Sequence, residues 1–208
     1  SVQAVAAVLE LREFIVSGGY SAEIIAGNVD TAEGYLELAL AGADLVKVGI
    51  GPGSACTTRT TAGAGAGQGS ALMDVARAKF ILGDSAAAFI ADGGIQGPKD
   101  ILTSQILQAS GSMLGILAAK TYESGALKKT LEGKGALAWN FGEASAWARI
   151  YEQGQVKPGY AVEGQGGWVP VSGSFVSLIA EIKGALTNAL PYYNSRNLEE
   201  LRAKSSIP

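Results

Sequence analysis

The chain has 208 residues, 48% of them apolar, with a formal net charge of −3, a single cysteine and no histidine. That length and apolar content support one sizeable buried core. The faint acidity, with no block of like charges, excludes nucleic acids and anionic membrane surfaces as partners, and a lone cysteine cannot close an internal disulfide.

The 29 glycines stand singly at the ends of apolar runs, a placement that reads as turns and ligand loops rather than as a repeat. Without histidine, a zinc site of the usual kind lacks its ligands. No run reaches the ~18 apolar residues that a membrane span requires. The opening SVQAVAAVLELREFIV is interrupted by Glu10, Arg12 and Glu13 and has no basic start, so it is not read as a leader, and a reducing, cytoplasmic setting is expected.

In chain order, the spacing of Val5, Val8, Leu9 and Leu11 predicts a helix over residues 2–16, stopped by Gly18 and Gly19. The short run EIIA, residues 23–26, reads as a buried strand, and Asp30 with Glu33 as the cap of a helix running to Ala41. A strand over 45–48, a glycine-rich turn over 62–69, a helix over 70–82 and a strand over 86–91 follow. Pro98 suits the first turn of a helix reaching Gln108, and residues 112–116 read as another strand. Residues 118–171 carry Trp139, Trp147 and Trp168 without a clean period, the mark of a functional flap, here expected over about 122–170. Helical spacing returns over 175–189 and 198–203.

Strands thus alternate with helices four times. The alternation implies parallel strands with right-handed crossovers, in either a doubly wound sheet or a barrel of βα units. In both, chemistry gathers at the carboxyl ends of the strands. One such end is KVGIGPGSACTTR, residues 47–59. Its glycines leave backbone groups open to a phosphate or a cation, and Cys56 beyond them stands where backbone dipoles favour an anionic sulfur, hence a nucleophile. At neighbouring strand ends, Asp92 can accept hydrogen bonds from a sugar diol, while Gly94 and Gly115 can offer amides to a phosphate.

The loop KVGIGPGSACTTR closely resembles that of the inosine monophosphate dehydrogenase and guanosine monophosphate reductase family. So do IIAGNVDTAEG from Ile24, GADLVKV from Gly42, AGAG with Gln68 after it, IADGGIQGPKDI from Ile90, LAAKTYES from Leu117 and VEGQGGWVPVSG from Val162. These segments keep the family's order and cover most of the chain. The resemblance implies an α/β (β/α)8 TIM barrel, of which residues 1–208 hold about the last four βα units, a flap and C-terminal helices, as a single domain. It also implies a homotetramer acting on a purine mononucleotide with NADPH or NAD. Cys56 matches the thiol that attacks purine C2, and Thr58 the residue that helps activate water or ammonia. Ser54, Gly94 and Gly115 match phosphate contacts, Ser145 a further substrate contact, Asp92 the ribose contact and Glu163 the reader of the base edge. Asn28 and Gly49 fall at the nicotinamide, and the carbonyls of Gly51, Gly53 and Cys56 at a monovalent cation such as potassium.

Within the family, the short flap between Gly142 and Glu163, Pro98, and Glu123-Ser124-Gly125 resemble the reductase, which converts GMP to IMP and ammonia. Arg149 and Tyr151 are split by Ile150, unlike the adjacent pair of the dehydrogenase. Ala146 stands where the reductase's catalytic glutamate is expected, which makes Glu143 the candidate. Ile116 and Asn140 replace phosphate-binding hydroxyls. The alternatives are a dehydrogenase converting IMP to XMP with NAD, or a degenerate homologue that binds nucleotide without turnover. Four βα units cannot close a barrel, so a longer chain or a separate partner is expected to supply the rest.

Overall fold

The computed structural model describes residues 2–83, 86–133, 135–159 and 161–205. Its first part runs α1 (Val2–Ser17), β1 (Ile25–Val29), α2 (Ala32–Leu40), β2 (Leu45–Val48), the single turn α3 (Thr58–Thr61), α4 (Gln68–Leu82), β3 (Ala88–Asp92), α5 (Pro98–Ile106), β4 (Gly111–Met113) and the short α6 (Ile116–Ala119). The four strands are all parallel and pair in the order in which they occur. A doubly wound sheet reverses its strand order at a switch point; sequential order with right-handed crossovers instead keeps the connecting helices on one face, which is barrel winding.

Burial follows a period of two. Val46 and Val48 on β2, with Phe89 and Ala91 on β3, are fully buried and pack toward Tyr35 and Leu38 of α2 and Leu72 and Val75 of α4. Lys47 and Asp92 alternate with them and therefore share the opposite face. Tyr35 shows how the helical layer is tied down. Its ring meets Phe89 edge-on with centroids 6.2 Å apart, its hydroxyl donates to the Ala87 carbonyl at 2.6 Å, and burial raises its pKa to about 12.

Several predicted boundaries shift for local reasons. The α2 cap is Thr31, whose hydroxyl accepts from the Gly34 amide at 3.1 Å, not Asp30. The first strand begins two residues later than the run EIIA; Ile24 is buried and Ala26 packs against the core, while Ile25 stays exposed. The predicted strand over 112–116 ends at Met113, and Gly115 starts α6. In α1 only Val8 is buried; Leu9 and Leu11 face outward, since α1 touches α2 and β1 along one side alone.

The aperiodic stretch after α6 acquires structure through non-local pairing. β5 (Lys128–Leu131), β6 (Gly135–Phe141) and β7 (Gly166–Pro170) form an antiparallel sheet, with α7 (Ala146–Gln153) between the last two. Trp139 pairs in register with Trp168, their rings 5.2 Å apart, and Lys129 lies over Trp168 at 4.0 Å. A cross-strand aromatic pair with a cation above it stabilises a sheet too small to stand alone. The helices α8 (Phe175–Ala189) and α9 (Leu198–Lys204), joined through a 3-10 turn over Leu190–Tyr193, pack on α5. None of the helices among the described residues is long and apolar enough to cross a membrane.

Asp44 joins the first three elements. Its Oδ2 accepts from the Ile24 amide at 2.7 Å and from Arg12 at 2.5 Å, while the same guanidinium donates to the Gly42 carbonyl at 3.0 Å. The Ile24 amide, and then Arg12, hold the carboxyl below its usual range. A depressed folded pKa contributes stability above the unfolded value, about 3.9, and loses it as pH falls through the folded one. Asp44→Asn should therefore lower stability at neutral pH by about 1 kcal/mol, solvent screening included, and the difference from the parent should shrink as pH falls below about 4 and vanish once it is below the folded pKa; chemical denaturation across pH measures it. Tyr35→Phe should cost about 1–2 kcal/mol in the same experiment, because the buried Ala87 carbonyl loses its donor.

Candidate active site

The carboxyl ends of β1, β2 and β3 are tied to one carboxylate. Asp92 Oδ2 accepts from Asn28 Nδ2 at 2.8 Å and from Lys47 Nζ at 3.0 Å, and Asn28 also donates to the Gly49 carbonyl at 2.9 Å. Gly49, buried, donates its amide to the Val29 carbonyl at 2.7 Å. It takes a φ of +138°, and a Cβ there would stand 2.3 Å from the Asp92 carbonyl. Glycine is required at that crossing. The strand ends are close because that residue has no side chain.

Beyond Gly49 the loop is strapped by Arg59, which donates to the Ile50 carbonyl at 3.1 Å and to that of Ala66. It then meets the flap. The Thr57 amide donates to the Glu163 carbonyl and the Gln165 amide to that of Ala55, both at 2.8 Å. Cys56 and Gly164 form an antiparallel bridge, and Gly164 a parallel one to Ser145. Within this strip the side chains form a directed chain: Cys56 Sγ donates to Thr58 Oγ1 at 3.2 Å, and Thr58 Oγ1 donates to Glu163 Oε2 at 2.9 Å. A thiol proton can travel through the hydroxyl to a carboxylate.

A cleft of about 340 Å³ opens in front of the sulfur. Ser54, Cys56, Asp92, Gly94, Gly115 and Glu143 all line it. Ile116 and Asn140, the two replaced hydroxyl positions, line it as well. The thiol is partly buried and faces polar groups and an opening, not packed hydrocarbon.

Other expected residues lie elsewhere. Ser145 is 2% exposed and its hydroxyl accepts from the Ala148 amide at 3.2 Å; it caps α7 and is turned away from the cleft. Glu163 is not among the cleft-lining residues; its carboxylate accepts from Thr58. Gly49 lies beneath the surface, so at the expected cofactor position Asn28 is the exposed side chain, with its amide nitrogen committed and its oxygen left to accept. Gly51, Gly53 and Cys56 lie on one turn, where the Gly53 carbonyl already accepts from the Cys56 amide at 3.0 Å. Backbone oxygens suit a monovalent cation in kind. The structure adds Lys47 and Arg59 to the site, both inside the quoted loop; a charged residue within a glycine-rich apolar motif is the signal that marks them.

Parallel strands in sequential order, with a thiol, a carboxylate and glycine turns at their carboxyl ends, are the arrangement of a βα barrel, in which chemistry gathers at that face. A model of the IMP dehydrogenase / GMP reductase domain matches residues 2–207, and the chain belongs to that family of oxidoreductases. It is 39% identical to the inosine-5'-monophosphate dehydrogenase of Aquifex aeolicus over 96% of this chain and 41% of that protein. To the same enzyme of Staphylococcus saprophyticus it is 37% identical over 96% of this chain and 42% of that protein. Among solved structures, it matches a GMP reductase variant from Trypanosoma brucei in complex with guanosine 5'-monophosphate, with a TM-score of 0.87 and 29% identity, over 98% of this chain and 41% of that one. The chain thus spans about two fifths of those relatives, and its sheet is part of a (β/α)8 barrel.

Gly49→Ala should lower stability by about 1–3 kcal/mol, since the added methyl meets backbone in a left-handed conformation. Thermal unfolding measures it. An unchanged Tm would mean that the strand ends are not packed as described.

Proposed function

We propose that this chain carries the catalytic thiol of a purine-mononucleotide oxidoreductase working in the GMP reductase direction. The observation that carries the reading is the hydrogen-bonded chain that starts at Cys56 on the wall of a glycine-lined cleft and runs through Thr58 to Glu163. The sulfur attacks C2 of the purine, and its proton passes through the Thr58 hydroxyl to the Glu163 carboxylate. The same proton then returns through Thr58 to the departing C2 amine, which leaves as ammonia. Asn28 would help hold NADPH at the edge that it marks, and the cofactor would supply the hydride for C2. Expulsion of the sulfur then yields IMP and a thiolate, which takes up one proton from solvent to restore the thiol.

The remaining residues hold the substrate. Asp92, with Oδ2 fixed by Lys47 and Asn28, has Oδ1 to offer the ribose hydroxyls. Amides at Gly94 and Gly115, with the Ser54 hydroxyl, face a phosphate in the cleft. A monovalent cation such as potassium on the carbonyls of Gly51, Gly53 and Cys56 would stiffen the loop that presents the thiol. Residues 1–208 act in this reading as one domain, a share of a barrel whose other units complete the site.

The short flap favours the reductase; the curated dehydrogenase relatives favour conversion of IMP to XMP, in which Thr58 and Glu163 would deprotonate water and NAD would accept the hydride. One experiment separates the two. The complete protein is incubated with GMP and NADPH, and separately with IMP and NAD, and nucleotide products are followed with cofactor absorbance. NADPH oxidation with release of IMP and ammonia is expected. Turnover with IMP and NAD alone would establish the dehydrogenase, and turnover in neither would sink both. Glu163→Gln should lower kcat by about 10²–10⁴-fold, the usual range for a general acid–base group, with nucleotide affinity within a few fold; Cys56→Ala should abolish turnover while GMP still binds.

A further inference from the structure

On the helical side of the sheet, α4, the turn after α5 and α9 enclose a cavity of about 600 Å³, lined by Lys79, Phe80, Gly83, Gln108, Arg202 and Ser205 among others. α4 ends shortly before β3 begins, and Gln108 shortly before β4. The cavity therefore lies at the amino ends of strands whose carboxyl ends carry the cleft. β3 has five residues, which at about 3.3 Å each puts the two sites on the order of 15 Å apart. They share no residue.

Two cations from distant parts of the chain converge here. Lys79, half-buried, holds its ammonium 5.6 Å from the ring centroid of the buried Phe89, and its pKa is held below the usual lysine range, first by burial and second by the charge of Arg202. Arg202 is fixed in place. Its Nη1 donates to Gln105 Oε1 at 2.6 Å, and Gln105 is a side chain only 4% exposed. The Arg202 carbonyl accepts from Gln108 Nε2 at 2.8 Å. Among the described residues no carboxylate lines this cavity, whereas Arg12, Lys47, Lys99, Arg196 and Lys204 each meet an aspartate or glutamate. Like charges drawn together at a half-buried site repel unless an anion joins them. Phe80 lines the same cavity with 84% of its surface exposed. A cation pair beside an uncovered aromatic ring is complementary to one ligand class in particular.

We propose that this cavity is a second binding site, taking a nucleoside phosphate with its phosphate between the Lys79 ammonium and the Arg202 guanidinium and its base against Phe80. The guanidinium, oriented by Gln105, presents its remaining N–H groups to phosphate oxygens, and charge-assisted bonds of this kind are short and strong. Stacking on Phe80 adds affinity without reading the base. The volume falls within the roughly 300–1,000 Å³ typical of small-molecule sites.

The test is calorimetric titration of the complete protein with GMP and, separately, with inorganic phosphate, in the parent, Lys79→Gln/Arg202→Gln, Phe80→Ala and Lys79→Arg. A GMP-binding event at least tenfold weaker in the double glutamine variant, several-fold weaker in Phe80→Ala and retained in Lys79→Arg is expected. Phosphate should lose affinity in the double variant but not in Phe80→Ala. Because the cleft at Cys56 is untouched by these changes, binding there persists in every variant and is counted apart. GMP binding identical in the parent and in a double variant of unchanged Tm overturns the proposal, as does a parent with no binding event sensitive to Phe80→Ala or to the cation pair.

Discussion

The carboxylate of Asp92 is the point on which the rest of the site turns. Through Oδ2 it gathers Asn28 from the end of β1 and Lys47 from β2, and Asn28 in turn holds the carbonyl of Gly49. Charge-assisted bonds in a partly buried setting are each stabilising by roughly 1.5–3 kcal/mol. Their larger effect is geometric: three strand ends are locked in one register, and the loop that leaves β2 departs at a defined angle toward the flap. Without that lock the thiol would ride on a mobile turn.

The loop and flap solve a second problem. A glycine-rich turn that bares its backbone to a ligand has few partners of its own. Here amides of Thr57 and Gln165 meet carbonyls of Glu163 and Ala55, so a strip of short pairings joins segments about a hundred residues apart in sequence, and the Gly142 amide, on the Gln165 carbonyl, holds the flap side of that strip together. The flap is anchored in turn by Trp139 and its two aromatic neighbours Trp147 and Trp168. The position of Glu163 against Thr58 is thus supported by the packing of tryptophans in the flap.

The sheet remains open at both edges among the described residues, with β1 pairing only to β2 and β4 only to β3. Ile25 on the β1 edge and Leu9, Leu11 and Phe14 on α1 keep more than half of their surfaces exposed. Unpaired edges and uncovered apolar surface are what barrel closure removes, in keeping with a chain that spans about two fifths of its relatives.

Much was legible in the residues alone. The alternation of apolar runs with capped amphipathic segments determined parallel βα units, and the β2 strand over Leu45–Val48 fell where its apolar run stands, because a short buried strand is a local hydrophobic signal. The loop around Cys56 was readable for a similar reason: glycines that permit backbone exposure are written directly in the sequence. What only the tertiary structure decided were the relations between distant residues: the sequential strand order, the antiparallel flap sheet, the burial of Ser145 as a helix cap and the turn of Glu163 toward Thr58. Periodicity reports which face of an element meets the core, but a hydrogen bond between residues 58 and 163 has no local signature, since it exists only once the flap has folded back onto the loop.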